Sequence, residues 1–322
     1  MAKKLTDAEF AQALKEAGGS VSAMSRATGL SARGIHARKV AVEGRGIPIT
    51  QAPSVAAPVW AYHRSRDLRL DDGVVVVYSD AHYWPGEPPT AAFRALVKLC
   101  GAMKPDVIVA NGDLIDGAKI SRFPAAGWAK LPSMTAELDE MQNRQAEIVK
   151  AAPKAKLFRT IGNHDLRLDR FFASNAEQFE GLPGTRLSDF LPDWPESYTV
   201  RVNPGTTGDT VIKHRFRSGI HAGWNNVLHA GTSIVTGHLH KLEAKPLRGY
   251  RDARAWGVET GTLANHPAEL PDEGAGAFEY LEDNPVNWAC GFAILTYYKG
   301  RLLQPEFCSV EFGKAWFRGK EV

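Results

Sequence analysis

The chain has 322 residues, enough for one large core plus an appendage, with 44% hydrophobic and 23% charged residues, an ordinary balance for a globular protein. Cys100, Cys290 and Cys308 are widely spaced and odd in number, which argues against a disulfide framework and fits a reducing cytosol. No run of about 18 apolar residues is present to span a membrane, and the polar start does not read as a signal core.

The net charge of +3 is unevenly placed. The first 50 residues hold eight Lys/Arg and four acids, so the remaining chain is slightly acidic. Thr6-Asp7-Ala8-Glu9 is a capping box, and Phe10, Ala13, Leu14 and Ala17 then share one helical face. Ser20 caps a second short helix. Thr28-Gly29-Leu30 makes a turn, and Ser31 caps a third helix carrying Arg33, His36, Arg38 and Lys39. Two short helices joined by a glycine-containing turn, the second basic, resemble the helix-turn-helix units of transcription factors and phage proteins. The resemblance implies DNA as a partner, with Arg33, His36, Arg38 and Lys39 as the DNA-contacting set. A structural three-helix cap with a solvated basic face is the other reading.

Pro48, Pro53 and Pro58 among small residues read as an extended linker over 46–70. The expected organisation is a helical unit at 1–45, that linker, and a large domain at 71–322. The large domain opens on Val74-Val75-Val76-Val77, a strand buried on both faces. It stops at Asp80 and His82, two residues apart and able to converge on one point. Such a pair suits a divalent transition metal, although on its own it is more often a hydrogen-bonded strand end.

A helix over Pro89–Met103 leads to the strand Asp106–Ala110, which ends at Gly112-Asp113-Leu114-Ile115-Asp116. A helix over 135–151 leads to the strand Lys156–Ile161, which ends at Gly162-Asn163-His164-Asp165. This alternation is a βαβαβ unit, hence a parallel sheet with its polar clusters at the carboxyl ends of strands. Further strands are expected at Tyr198–Val202, Val211–His214, Ser233–Thr236, Trp256–Thr260, Trp288–Tyr298 and Leu302–Glu311, and a short helix near 222–230. His214 closes one of these strands; Gly237-His238-Leu239-His240 follows another.

Asp-x-His, Gly-Asp-x-x-Asp, Gly-Asn-His-Asp, a lone histidine and Gly-His-x-His, in this order after strands, resemble the calcineurin-like metallophosphoesterases over about residues 74–262. The resemblance implies an α/β fold: a four-layer α/β/β/α sandwich carrying the small all-α N-terminal unit. It implies two divalent metal ions bridged by Asp113. Asp80, His82, Asp113 and His240 would hold the first ion, and Asp113, Asn163, His214 and His238 the second. Manganese leads the expectation; iron, zinc or nickel suit the same mixed nitrogen and oxygen set. Two such ions polarise phosphate oxygens and acidify a water, which is what hydrolysis of a phosphate ester needs.

His164 would face the phosphate as a charge stabiliser or proton donor, with Asp165 orienting it and Asp116 supporting the ligands from behind. Ordinary hydrogen bonding or helix capping is the other reading of both acids. Arg122 and Arg167 look like counterparts of residues in phage-borne members, where an arginine can grip a phosphate; a surface salt bridge is the alternative. The lone histidine of this family is often followed by glycine, yet Arg215 follows His214, and His221 lies before Ala222-Gly223. His214 is the better candidate because Val211-Ile212-Lys213 precede it as a buried strand should. His63, His229 and His266 have no such context, and Trp84 either stacks on a base or packs.

The expected activity is hydrolysis of phosphodiester bonds, of DNA, by a nuclease acting in a bacterial or phage-infected host cytosol. The same motifs would serve a phosphomonoesterase on nucleotides or phosphoproteins. A DNA-binding regulator with a vestigial metal site is a third possibility, against which the complete ligand set argues.

Overall fold

A computed structural model describes residues 5–17, 20–45, 62–123, 128, 130–249, 254–264 and 287–322. The chain divides into two compact units, Met1–Ala61 and Tyr62–Val322.

In the first unit, α1 (Asp7–Glu16) begins at the predicted capping box, with Thr6 and Glu9 capping each other's backbone. Ser20 caps α2 (Val21–Thr28), which ends at Gly29 in the left-handed region (φ 73°), where a side chain would be strained. Ser31 caps α3 (Ala32–Glu43). Phe10, Leu14, Met24, Ile35 and Val42 are buried together and make a core from all three helices.

The second unit starts earlier than the sequence indicates. Residues 46–61 of the expected linker lie outside the described residues, but Tyr62 packs edge-on against Tyr198, with ring centroids 5.6 Å apart. Arg66–Leu68 form β1, a strand too short and too charged to show a pattern. The chain continues through β2 (Gly73–Tyr78), α4 (Ala91–Met103), β3 (Val107–Asn111), α5 (Met134–Ala151), β4 (Lys156–Thr160) and α6 (Leu166–Asn175). Next come β5 (Glu196–Ser197), β6 (Val200–Val202), β7 (Thr210–Ile212), α7 (Ala222–Ala230), β8 (Ser233–Thr236), β9 (Leu242–Arg248) and β10 (Arg254–Thr260). The last strands are β11 (Gly291–Tyr298), β12 (Arg301–Leu302), β13 (Glu306–Glu311), β14 (Lys314–Phe317) and β15 (Lys320–Glu321). The single strand expected over Leu302–Glu311 is two strands: Pro305, which has no N–H for a ladder, lies between them.

One sheet runs β15-β14-β13-β11-β2-β3-β4-β5, with β12 beside β11; the other runs β1-β6-β7-β8-β10-β9. Strands β2 to β5 are parallel, with Val77 opposite Val109 and Val109 opposite Phe158. Alternate residues of β2 serve different layers. Val75 and Val77 pack with Val107, Val109, Val200, Ile212, Val235 and Val258 between the two sheets. Val76 and Tyr78 face the other way, against Phe93, Leu96, Met141 and Ile148 of α4 and α5. Helix α7 covers the far face of the second sheet through Val227, Ile234 and Ala255. The result is the α/β/β/α sandwich. Each fully buried valine contributes roughly 1.5 kcal/mol of transfer free energy, which fixes β2 at its centre.

Candidate metal centre

Five strands of the second unit, β2, β3 and β4 from one sheet and β7 and β8 from the other, bring their carboxyl ends to one place. Three sets of side chains there present ligand atoms within 4.8 Å of one another: Asp80, His82 and His240; Asp113, His214 and His238; and His82, Asp113 and His164. Asp113 belongs to two of the three sets and lies at the middle. Its Oδ2 is 3.0 Å from His214 Nε2, and its Oδ1 accepts the His164 backbone N–H at 2.8 Å.

The loops that carry these groups are bent unusually. Asp80, His82, Asp113, His238 and His240 all have positive φ, between 40° and 70°, where residues other than glycine are uncommon. Such backbone strain persists only where the surroundings over-determine it. The motif glycines make room for these bends. A Cβ at Gly162 would sit 2.1 Å from Asp113 Oδ1, and one at Gly237 would sit 2.7 Å from Asp80 Oδ2. Asp80, which follows a strand of the first sheet, is held by loops of the second: its Oδ2 accepts the His238 backbone N–H at 2.8 Å, and its carbonyl accepts from Thr262 Oγ1 at 2.6 Å.

The donors fit a divalent cation. Asp80 Oδ1, Asn163 Oδ1 and His214 Nε2 are buried atoms that make no hydrogen bond of acceptable geometry. Burying polar atoms in this way costs free energy that a bound cation would recover. Electrostatics agree. Burial pushes the Asp80 carboxyl up, but His240 and His214 outweigh it and hold it at about 2. Burial likewise opposes ionisation of Asp113, and His214 beside it holds that carboxyl well below the usual range. Burial lowers His214, yet Asp113 and Asp80 raise it to about 9, so in the absence of metal a proton takes the place of positive charge. Burial, and then His214, press His238 down to about 4. Of the two histidines considered for the lone position, His214 is buried within the cluster and His221 is exposed at the start of α7.

Around these donors the supporting groups differ from the sequence reading. Asp165 does not orient His164. Its carboxylate is buried and accepts the backbone N–H groups of Asp113, Gly162 and Leu114 at 3.1, 3.0 and 2.9 Å, tying the second motif to the third. Asp116 takes the part given to Asp165: its Oδ1 lies 3.0 Å from His164 Nδ1 and 3.3 Å from His82 Nδ1, and its carbonyl is 2.9 Å from His164 Nδ1. A proton on His164 Nδ1 is thereby fixed, and Nε2 is left facing Arg167 Nη2 at 3.3 Å. Burial works against a charged His164, but Asp116 and Asp113 outweigh it and raise its pKa.

Arg167 donates to the Asp116 carbonyl at 2.7 Å, so it stands at the centre. Arg122 is exposed with its guanidinium 4.9 Å over the Phe123 ring, and nothing draws it to the donors. Trp84 is half-buried and lines a pocket with His82, Tyr83, Phe93 and Arg144. His63 and His229 are exposed, and His266 lies outside the described residues.

Arg159 is the residue that sequence reasoning passed over. It is 1% exposed, with Nη1 3.6 Å from Asp165 and Nη2 paired with Glu196. The signal was present: a charged residue near the carboxyl end of an interior strand, where the motifs gather, needs a partner.

In the first unit, Arg33 and His36 are exposed on α3, and Lys39 is half-buried, 3.9 Å from Glu43. Arg38 departs from its expected DNA-contacting role. It stacks on Phe10 at 5.1 Å, lies 3.5 Å from Asp7 and donates to the Leu5 carbonyl, so its charge is spent inside the unit.

Two packed sheets with metal-ligand donors converging from both define a metallophosphoesterase. The calcineurin-like phosphoesterase family model matches residues 73–263, more than half of the chain, and the chain belongs to that family. It is 25% identical over 240 residues to the Gene 54 protein of Mycobacterium phage L5 and 27% identical over 240 residues to that of Mycobacterium phage D29. Each match covers 69% of this chain and 88% of the phage protein. Among solved structures, Vps29 of Cryptosporidium parvum aligns with 14% identity and a TM-score of 0.41, covering 78% of this chain and 99% of that one. Wild-type Vps29 of Entamoeba histolytica complexed with zinc aligns with 14% identity and a TM-score of 0.40, covering 77% and 98%. No helix among the described residues is long and apolar enough to cross a membrane.

Proposed function

We propose that this metal-dependent phosphoesterase hydrolyses phosphodiester bonds of DNA. The observation that carries the reading is the paired donor geometry, in which Asp80, His82 and His240 form one ligand set and Asp113, His214 and His238 another, each drawn from both sheets, with Asp113 also within reach of His82. In this reading Asp80, His82, Asp113 and His240 hold one divalent cation, and Asp113, Asn163, His214 and His238 hold the other. Bound cations supply polarised phosphate oxygens and a water acidified toward neutral pH. The chain's own residues do the rest. Asp116 holds Nδ1–H of His164 and favours its charged form, in which both ring nitrogens carry protons and Nε2–H can face the substrate. As the acidified water loses a proton to solvent and adds to phosphorus, the bond to the leaving oxygen breaks and the Nε2 proton passes to that oxygen. Arg167, beside His164 Nε2, steadies a non-bridging phosphate oxygen.

The N-terminal unit supports DNA as the substrate. Arg33, His36 and Lys39 project from the third helix at i, i+3 and i+6, the second helix of a helix-turn-helix pattern, and suit phosphate contacts. The test is purified protein with Mn²⁺ against a generic phosphodiester, a generic phosphomonoester, single- and double-stranded DNA, and RNA. Preferential turnover of the diester and of DNA is expected. Turnover of the monoester alone would replace this reading with a phosphomonoesterase on nucleotides or phosphoproteins.

A further inference from the structure

Lys213, Arg215 and Arg217 stand within five residues, in the segment where this chain places Arg215 after its lone motif histidine. Together with Phe216, Leu239 and the candidate ligand His238 they line an open cavity of about 420 Å³. The pocket therefore borders the candidate metal centre directly. Phe216 is exposed to 42% of its surface, with Lys213 Nζ 5.3 Å and the Arg217 guanidinium 5.7 Å from its ring centroid. Among the described residues, no carboxylate pairs with Lys213, Arg215 or Arg217. Three cations side by side repel one another, and such an arrangement is stabilised by an anion from outside.

The segment is held in place from beneath. Arg217 N–H donates to Asn226 Oδ1 at 2.9 Å, and Asn226 is fully buried, donating to Glu259 Oε1 at 2.9 Å and Thr236 Oγ1 at 3.0 Å. At the far end, Lys241 Nζ donates to the Gly219 and Ile220 carbonyls at 2.9 and 3.2 Å. At its start the Lys213 N–H donates to the Val235 carbonyl at 3.0 Å, so the backbone is pinned on both sides of Arg215 and Phe216.

We infer that this pocket seats the single-stranded nucleotides next to the scissile phosphate, Phe216 stacking on an unpaired base while Lys213, Arg215 and Arg217 contact consecutive backbone phosphates. The inference rests on the phosphodiesterase reading above and adds strand preference to it. The chemistry discriminates among candidates. A mononucleotide brings one phosphate group to three cations that have no carboxylate partner, and a duplex keeps its base faces stacked inside and away from Phe216. A single strand offers both repeated phosphates and free base faces.

The experiment uses the full-length protein with Mn²⁺ and two substrates, a short oligothymidylate and bis(4-nitrophenyl) phosphate. Phe216→Ala should raise KM for the oligothymidylate about tenfold more than for the small ester, and Phe216→Trp should restore it. Arg215→Ala and Arg217→Ala should each reduce the salt dependence of oligothymidylate binding by about 0.7 in logarithmic slope. Equal losses on both substrates, or an unchanged KM for the oligonucleotide, would overturn the pocket. So would a thymidine monophosphate that competes as well as the oligomer.

If the wild type hydrolyses neither substrate, the phosphodiesterase reading fails. The dissociation constant of fluorescein-labelled oligothymidylate then decides the pocket separately. About tenfold weaker binding in Phe216→Ala sustains it, and equal binding overturns it. Oligouridylate run alongside assigns the sugar.

Discussion

The N-terminal helices and the loops of the metal centre solve opposite problems. The helices follow local rules throughout: a capping box at Thr6, serine caps at Ser20 and Ser31, a left-handed glycine at Gly29, and five apolar side chains for a core. Their candidate binding groups, Arg33 and His36, extend into solvent from an unstrained helix. At the metal centre, five ligand candidates sit in left-handed backbone, and three buried donor atoms lack hydrogen bonds. Local preference is overridden there by the packing of two sheets. Charge displayed on a regular helix tolerates exchange, whereas a site assembled from strain does not.

Asp113→Asn should break the metal centre most deeply, because in the reading above that carboxylate contributes to both ions. Metal analysis should find roughly two ions per wild-type chain and a larger loss in this variant than in any single change at Asp80, His82 or His240. Full occupancy of both sites in Asp113→Asn would refute the bridging assignment.

His164→Ala sharpens the division between holding metal and moving protons. Both ions and the fold should persist while kcat falls about 10²–10⁴-fold. A parallel loss of metal would make His164 a ligand.

Arg159→Met removes the cation that neutralises Asp165 and Glu196 beneath the third motif. Leaving the buried Asp165 and the half-buried Glu196 without their cation should cost about 3 kcal/mol in chemical denaturation. A loss below about 0.5 kcal/mol would place the support of these loops elsewhere.

Glu137 gives a pH test of the same frame. Its carboxylate accepts the Gly117 and Ala118 N–H groups at 2.6 and 3.3 Å, yet burial raises its pKa from 4.5 to about 7. The folded state therefore holds the proton more tightly than the unfolded one. Its contribution is complete below pH 4.5 and declines as pH rises to about 7, by up to about 3 kcal/mol. Glu137→Gln should flatten the stability profile across that window, and an unchanged slope would exclude Glu137 as its source.

The smallest stability effect belongs to the helices. Arg33→Ala should leave the melting temperature nearly unchanged while reducing the salt slope of duplex binding by about 1. Arg38→Ala should do the reverse, weakening the unit with little change in salt slope, because Arg38 is engaged by Phe10 and Asp7.

Much of the centre was legible because its determinants are local and ordered. The valine run at 74–77 marks the central strand, and each polar motif follows a strand in sequence. The left-handed φ values were not legible, since Asp80 and His240 are bent by contacts from distant strands. Asp165 misled for a related reason: sequence adjacency to His164 said nothing of three backbone N–H groups converging from two loops. Strand β9 escaped notice because it is a polar edge strand containing Pro246. Arg38 looked like its neighbour Lys39, and only the packing of α1 against α3 separates them.

The donors come from both sheets: Asp80, Asp113 and Asn163 follow strands of one, and His214, His238 and His240 follow strands of the other. A cation at this seam would therefore act as a rivet between layers joined mainly by a valine-rich apolar film and a few hydrogen bonds at Ser79 and Asp80. Neither sheet alone can load it, so the chain cannot carry a working centre until the two layers have docked. Chelation would then loosen the seam as well as silence the chemistry, and metal supply would set how firmly the halves of the sandwich are fastened.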